Sequence, residues 1–136
     1  MRALLDVNVL IALLDAAHIH HRVAHGWLAR EIHHGWASCP ITQNGCIRIM
    51  SQPAYPGALR TRDVAQRLGE ATAGSAHMFW PDDVNPLAID NWLRWDRILG
   101  HRQVTDSYLL ALAVRHEGRF VTFDQRIGIA AVQGAS

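Results

Sequence analysis

The chain contains no lysine; all thirteen of its basic residues are arginine. It has only two cysteines, Cys39 and Cys46, at no metal-type spacing, which excludes a disulfide framework and a thiolate metal knuckle. Its longest apolar runs, Val9–Leu14 and Leu109–Val114, are far too short to span a bilayer. The N-terminal stretch is not a signal peptide either, because Asp6 and Asn8 interrupt it and Asp15 follows closely. The expected location is therefore the cytoplasm, with no membrane attachment. Net charge is only +1, so no whole-molecule field draws in nucleic acid, and any RNA affinity must come from local clusters. Arginine suits such clusters, since its planar fork pairs with phosphate and stacks on bases. GC-rich coding produces the same bias, so the missing lysine does not by itself identify an RNA binder.

At 136 residues, 49% hydrophobic and 18% charged, the chain has the length and composition of one globular domain, residues 1–136, with a proper core. Three aspartates stand out. Ala3-Leu4-Leu5 stops at Asp6, Arg119-Phe120-Val121-Thr122-Phe123 stops at Asp124, and Asp106 opens the apolar segment Tyr108–Val114. In an α/β sheet, the crevice at the carboxyl ends of the strands is where ligands bind. Carboxylates gathered there repel one another unless a cation lies between them. Mg²⁺ meets that need with one or two carboxylates, waters and substrate phosphates. Each Asp taken singly also fits a helix cap or a turn.

Short strands and helices alternate along the chain. Arg2–Leu5 reads as a strand, followed by a helix near Val9–Leu14 and a second over His18–Gly35, where Val23, Trp27, Leu28 and Ile32 share a face. Trp36–Cys39 reads as a strand stopped by Pro40, and Thr42–Ser51 as a helix closed by the Pro53–Pro56 loop. Thr61 is placed as N-cap of a helix to Ala73, and His77–Trp80 as a strand. Asn85-Pro86 reads as the start of a helix carrying Trp92, Trp95 and Ile98. Thr105 is placed as cap of an Asp106–Glu117 helix, with Gly118 at its C′ position and the Arg119–Phe123 strand after it. The alternation predicts an α/β fold with a mostly parallel sheet of four or five strands and helices on both faces.

Other users of such sheets fail on residues. A dinucleotide-binding domain needs a glycine-rich turn after the first strand, and Asp6-Val7-Asn8 has no glycine. A phosphorelay receiver would want paired early acids and a late lysine; here the early acid stands alone.

The chain resembles the PIN-domain ribonucleases, specifically the VapC-type toxins of type II toxin–antitoxin pairs. The resemblance rests on Leu4-Leu5-Asp6-Val7-Asn8-Val9-Leu10, on Val104-Thr105-Asp106-Ser107-Tyr108-Leu109-Leu110-Ala111-Leu112-Ala113 and on Phe120-Val121-Thr122-Phe123-Asp124. Pro40-Ile41-Thr42-Gln43-Asn44-Gly45 and Phe79-Trp80-Pro81-Asp82-Asp83 are similar to one subgroup. It covers nearly the whole length and implies a PIN-like three-layer α/β/α sandwich. It also implies that Asp6, Asp106 and Asp124 are metal-binding and catalytic, with Asn8 and Thr122 as polar support. Asn8 also fits a turn that bonds its own backbone, and Thr122 a strand residue without a role. The implied cofactor is Mg²⁺, with Mn²⁺ as substitute, and the implied partners are an RNA substrate, a VapB-type antitoxin and a second copy of the chain.

One departure bears on the metal. The family usually carries a Glu in the helix after the second strand, but Ile41–Arg48 contains no carboxylate. Gln43 or Asn44 is the available neutral oxygen donor there, and the lost charge weakens a hard-cation site. The implied chemistry is metal-assisted hydrolysis of a phosphodiester to a 3′-hydroxyl and a 5′-phosphate. The missing Glu favours one alternative, a catalytically weakened domain that binds antitoxin; a housekeeping RNA-processing nuclease without an antitoxin is another.

Six of the nine histidines fall within His18–His34, and His21 and His25 stand one helical turn apart, a zinc-compatible spacing that lacks a third ligand. Otherwise they form a polar helix surface. Trp92 and Trp95 fit a core, a homodimer contact or a seat for an antitoxin helix. The RNA target is not encoded in any motif of the chain.

Overall fold

A computed structural model describes residues 1–88 and 93–124. Four strands, β1 Ala3–Leu5, β2 Trp36–Ser38, β3 His77–Phe79 and β4 Arg119–Val121, form one sheet in the order β3-β2-β1-β4. Every pairing is parallel, with Leu4 opposite Ala37 on one side and Phe120 on the other. Among the described residues five α-helices fill the connections: α1 Val7–Leu14, α2 His21–Glu31, α3 Pro40–Met50, α4 Thr61–Thr72 and α5 Val104–Arg115. Among the described residues no helix is long and apolar enough to cross a membrane.

The alternation of side chains along β1 splits the interior into two cores. Leu4 points into one, with Leu109 and Leu112 of α5, Trp80 and Leu93. Ala3 and Leu5 point into the other, with Leu10 of α1, Cys46 and Met50 of α3, and Val64 and Leu68 of α4. The architecture is an α/β/α sandwich. Leu4, Leu5, Leu109 and Leu112 are fully buried, each stabilising the fold by roughly 1.5–3 kcal/mol relative to exposure. Because β1 is central and buried, Asp6 at its end is carried to the middle of the sheet edge.

Several local expectations are corrected. The second helix does not start at His18. The His20 amide donates to His18 Nδ1, making a turn, and α2 begins at His21. It stops at Glu31, and a 3₁₀ turn, Ile32–His34, leads to Gly35 at φ +76°. Pro40 opens α3 rather than merely stopping β2, with the Thr42 hydroxyl accepting the Cys39 amide at 3.0 Å. Arg60, not Thr61, is the cap of α4.

The helix expected after Pro86 is a single turn within the described residues: Leu87 donates to Asn85 Oδ1 and Ala88 to the Asn85 carbonyl. Residues 89–92 of that expectation lie outside the described residues; Leu93, beyond them, is in the core at 1% exposure. Trp95 lies in a 3₁₀ turn, Trp95–Arg97, and Trp92 falls outside the described residues. Thr105 lies inside the first turn of α5, whose cap is Gln103. At the other end Glu117 takes the left-handed C′ place at φ 55°, and Gly118 is C″. The Gly118 amide reaches the Ala113 carbonyl and the Glu117 amide the Val114 carbonyl, a complete Schellman closure.

Candidate active site

The carboxyl ends of β1 and β4 are laced together by side chains. Asp6 is the N-cap of α1 and is only 7% exposed. Its Oδ1 accepts the Val7 amide at 2.7 Å and its Oδ2 the Thr122 hydroxyl at 2.6 Å. The Thr122 oxygen in turn accepts Asn8 Nδ2 at 3.3 Å and the Asp124 amide at 3.0 Å. Asn8 Oδ1 accepts the Phe123 amide at 3.3 Å. Thr122 is thus the knot that fixes the Asp6 carboxylate relative to the Asp124 backbone.

Burial pushes the Asp6 carboxyl above its ordinary value, the bonds from Thr122 and Val7 pull it back, and the charge of Asp124 pushes it up again. Asp124 and Asp106 line a hollow of about 150 Å³ together with Arg102 and Gln103. Asp106 reaches it from the first turn of α5, where a carboxylate also complements the helix dipole. Three chain segments distant in sequence therefore deliver acids to one edge. Among the described residues, no three His, Cys, Asp or Glu ligand atoms at this edge lie within 4.8 Å of one another; a Glu31, His33 and His34 group elsewhere does.

The two neutral candidates separate. Gln43 turns toward β3: its Nε2 donates to Ser38 Oγ at 2.9 Å, and Ser38 bonds His77 Nε2 at 2.8 Å. Burial holds the His77 imidazole below its ordinary value, which keeps that nitrogen available to accept from Ser38. Gln43 is thereby committed to a network across β2 and β3, whereas the acids follow β1 and β4. Asn44 is exposed and lines a neighbouring groove of about 410 Å³ with Val7, Arg48, Asp82 and Thr105. Val7 and Thr105 directly adjoin Asp6 and Asp106 in sequence, so this groove runs alongside the acidic edge.

Arg102 and Arg48 were not evident as site residues from sequence. Arg102 stands four residues before Asp106, a one-turn spacing that carries the signal. Arg48 and Asn44 share a face of α3 by the same spacing, but only packing of α3 against α1 shows where that face looks.

The histidine pair is also explained. His21 Nδ1 donates to the Ala12 carbonyl at 2.7 Å and His25 Nε2 to the Leu13 carbonyl at 2.8 Å. They satisfy carbonyls left open in the last turn of α1, a capping role instead of zinc binding.

Comparison with known proteins defines the class. Residues 3–133 match the PIN domain family. The chain is 51% identical to Ribonuclease VapC44 of Mycobacterium tuberculosis over all of this chain and 95% of that protein. It is 44% identical to Ribonuclease VapC39 of the same organism, over 98% and 96%, and 41% identical to Ribonuclease VapC38, over 96% and 91%. The chain belongs to the PIN-domain family. Within it, the chain is a VapC-type ribonuclease, the toxin class of toxin–antitoxin pairs.

Proposed function

We propose that the protein cleaves RNA within the strand using Mg²⁺, or Mn²⁺ in its place, held by Asp6, Asp106 and Asp124. The observation carrying this reading is the convergence of Asp124 with Asp6 through Thr122 and with Asp106 across the hollow. Such an ion, when bound, supplies a water of lowered pKa and neutralises charge on the phosphoryl oxygens. The side chains do the rest. Thr122 and the Val7 amide aim the Asp6 carboxylate, and Asn8 ties α1 to the end of β4 so that this aim is rigid.

Arg102 lines the hollow of Asp106 and Asp124, and Arg48 lines the neighbouring groove with Val7 and Thr105; in this reading both take phosphates of the RNA. Each Arg→Ala change should raise KM about 10-fold with kcat nearly kept, and each should lower the salt slope of binding by about one. Arg→Lys should restore the slope. Binding isotherms of single-stranded RNA at several salt concentrations, on a cleavage-dead background, check this; unchanged slopes in both variants would remove the two arginines from the RNA path.

The partner reading is a VapB-type antitoxin that places a basic side chain among the acids. An arginine suits this best, because its fork pairs with carboxylates bidentately. An apolar hollow of about 520 Å³ beside α1, α2 and α4, lined by Leu10, Leu13, Leu28 and Leu68, is a surface of the kind a partner helix covers. Mn²⁺ titrated into the complex should bind more weakly than into the free protein. Equal affinity would mean that inhibition acts by blocking RNA entry or by changing assembly. The weakened-domain alternative predicts intact partner binding with no cleavage. The cytoplasmic location is consistent with two buried free thiols, of which Cys46 is pushed by burial to about 12.

A further inference from the structure

The structure accounts for four of the six clustered histidines. His18 accepts the His20 amide, His20 packs on the Phe123 ring, and His21 and His25 cap α1. His33 and His34 are left: their ring centroids lie 4.0 Å apart, and His34 Nδ1 is 3.4 Å from the N-terminal ammonium, which leaves Nε2 to face Glu31. They sit on the 3₁₀ turn after α2, two and three residues beyond Glu31, with both imidazoles exposed. One ligand atom each from Glu31, His33 and His34 lies within 4.8 Å of the others, and His34 Nε2 is 3.6 Å from Glu31 Oε2.

We infer that Glu31, His33 and His34 form a second metal site, for a borderline transition ion such as Zn²⁺, Ni²⁺ or Cu²⁺. The donor set decides the class. Two imidazoles and one carboxylate match open zinc sites, whereas Mg²⁺ prefers oxygen alone. Neutral imidazole is the ligating form. The position separates this site from the acids. The 3₁₀ turn feeds the start of β2, so it lies at the amino ends of the parallel strands, while Asp6 and Asp124 lie at the carboxyl ends.

Glu31 is now held by Arg119, whose Nη2 is 3.6 Å from Glu31 Oε2. Arg119 also lies over the Trp27 ring, its Cζ 5.5 Å from the centroid, so it keeps a cation–π seat when the carboxylate turns to a metal. The exposed imidazoles need only side-chain rotation to close on the ion.

The test is calorimetric titration of Zn²⁺ into the full chain in excess Mg²⁺, with thermal melts alongside. Zinc should bind one site and raise Tm. His33→Gln with His34→Gln should weaken binding roughly 100-fold or more, since loss of even outer-shell partners costs 10–100-fold. Those substitutions are at the surface and should leave the metal-free Tm unchanged. Asp6→Asn should leave zinc affinity unchanged. The inference is overturned by an absence of zinc binding, by binding that survives the double variant, or by binding lost with Asp6→Asn or with His21→Gln and His25→Gln. None of these readouts depends on RNA cleavage.

Discussion

Asp6→Asn, Asp106→Asn and Asp124→Asn should each reduce RNA cleavage by roughly 10³-fold or more, the scale on which removing charge stabilisation slows an enzyme. The same variants should fold as well as the native protein. Asp6 is the strictest case. Its carboxyl is pushed up by burial and by Asp124, so neutralising it relieves repulsion. An asparagine keeps one oxygen to accept the Thr122 hydroxyl, whose own acceptor sites are taken by Asn8 and Asp124, so the change loses at most the Val7 bond, which the relieved repulsion offsets. Metal-free melting should therefore show a Tm equal to or above that of the native chain. A variant that retains full Mg²⁺-dependent activity loses its place in the site. A sharply lower Tm would instead make that Asp a structural cap.

Gly118→Ala should destabilise the fold by about 3 kcal/mol, the upper part of the range for overpacking. A Cβ at Gly118 would stand 2.6 Å from the Arg2 carbonyl oxygen and 2.6 Å from the Trp80 ring. Neither can yield easily. The Arg2 carbonyl accepts the Arg119 amide at 2.9 Å, and Trp80 is buried and stacked on His116. One residue earlier the sign reverses. Glu117 occupies a left-handed conformation that glycine adopts freely, so Glu117→Gly should stabilise by about 0.5–1 kcal/mol. Urea denaturation of both variants checks the pair; a near-neutral Gly118→Ala would show that the β1–β4 junction is looser than its packing indicates.

What was legible in the sequence was whatever local chemistry fixes. The β1 register and the position of Asp6 follow from a short apolar run ending in a capping residue. The strand-then-helix rhythm is enough to give the parallel sheet. The places of Asp6, Asp106 and Asp124 in the fold were legible because each sits at a strand end or helix start, where geometry leaves little choice. What was not legible depends on long-range contacts. Leu93 is drawn into the core beneath α5, a burial that no local pattern marks. Gln43 and Asn44 are adjacent and chemically alike, and only the Ser38–His77 pair across two strands shows that Gln43 is engaged elsewhere. The cap of α5 moved by two residues because a 3₁₀ turn, His101–Gln103, precedes it and brings Arg102 to the acids.

The central claim, hydrolysis at an acid-held metal, is tested most directly by the chemistry of the cut ends. Purified protein is incubated with RNA and Mg²⁺, with and without a chelator, and the fragments are mapped by ligation. Metal-assisted attack of water predicts 5′-phosphate and 3′-hydroxyl ends, formed only without chelator. Fragments carrying 2′,3′-cyclic phosphates and 5′-hydroxyls, or cleavage undiminished by the chelator, would contradict it.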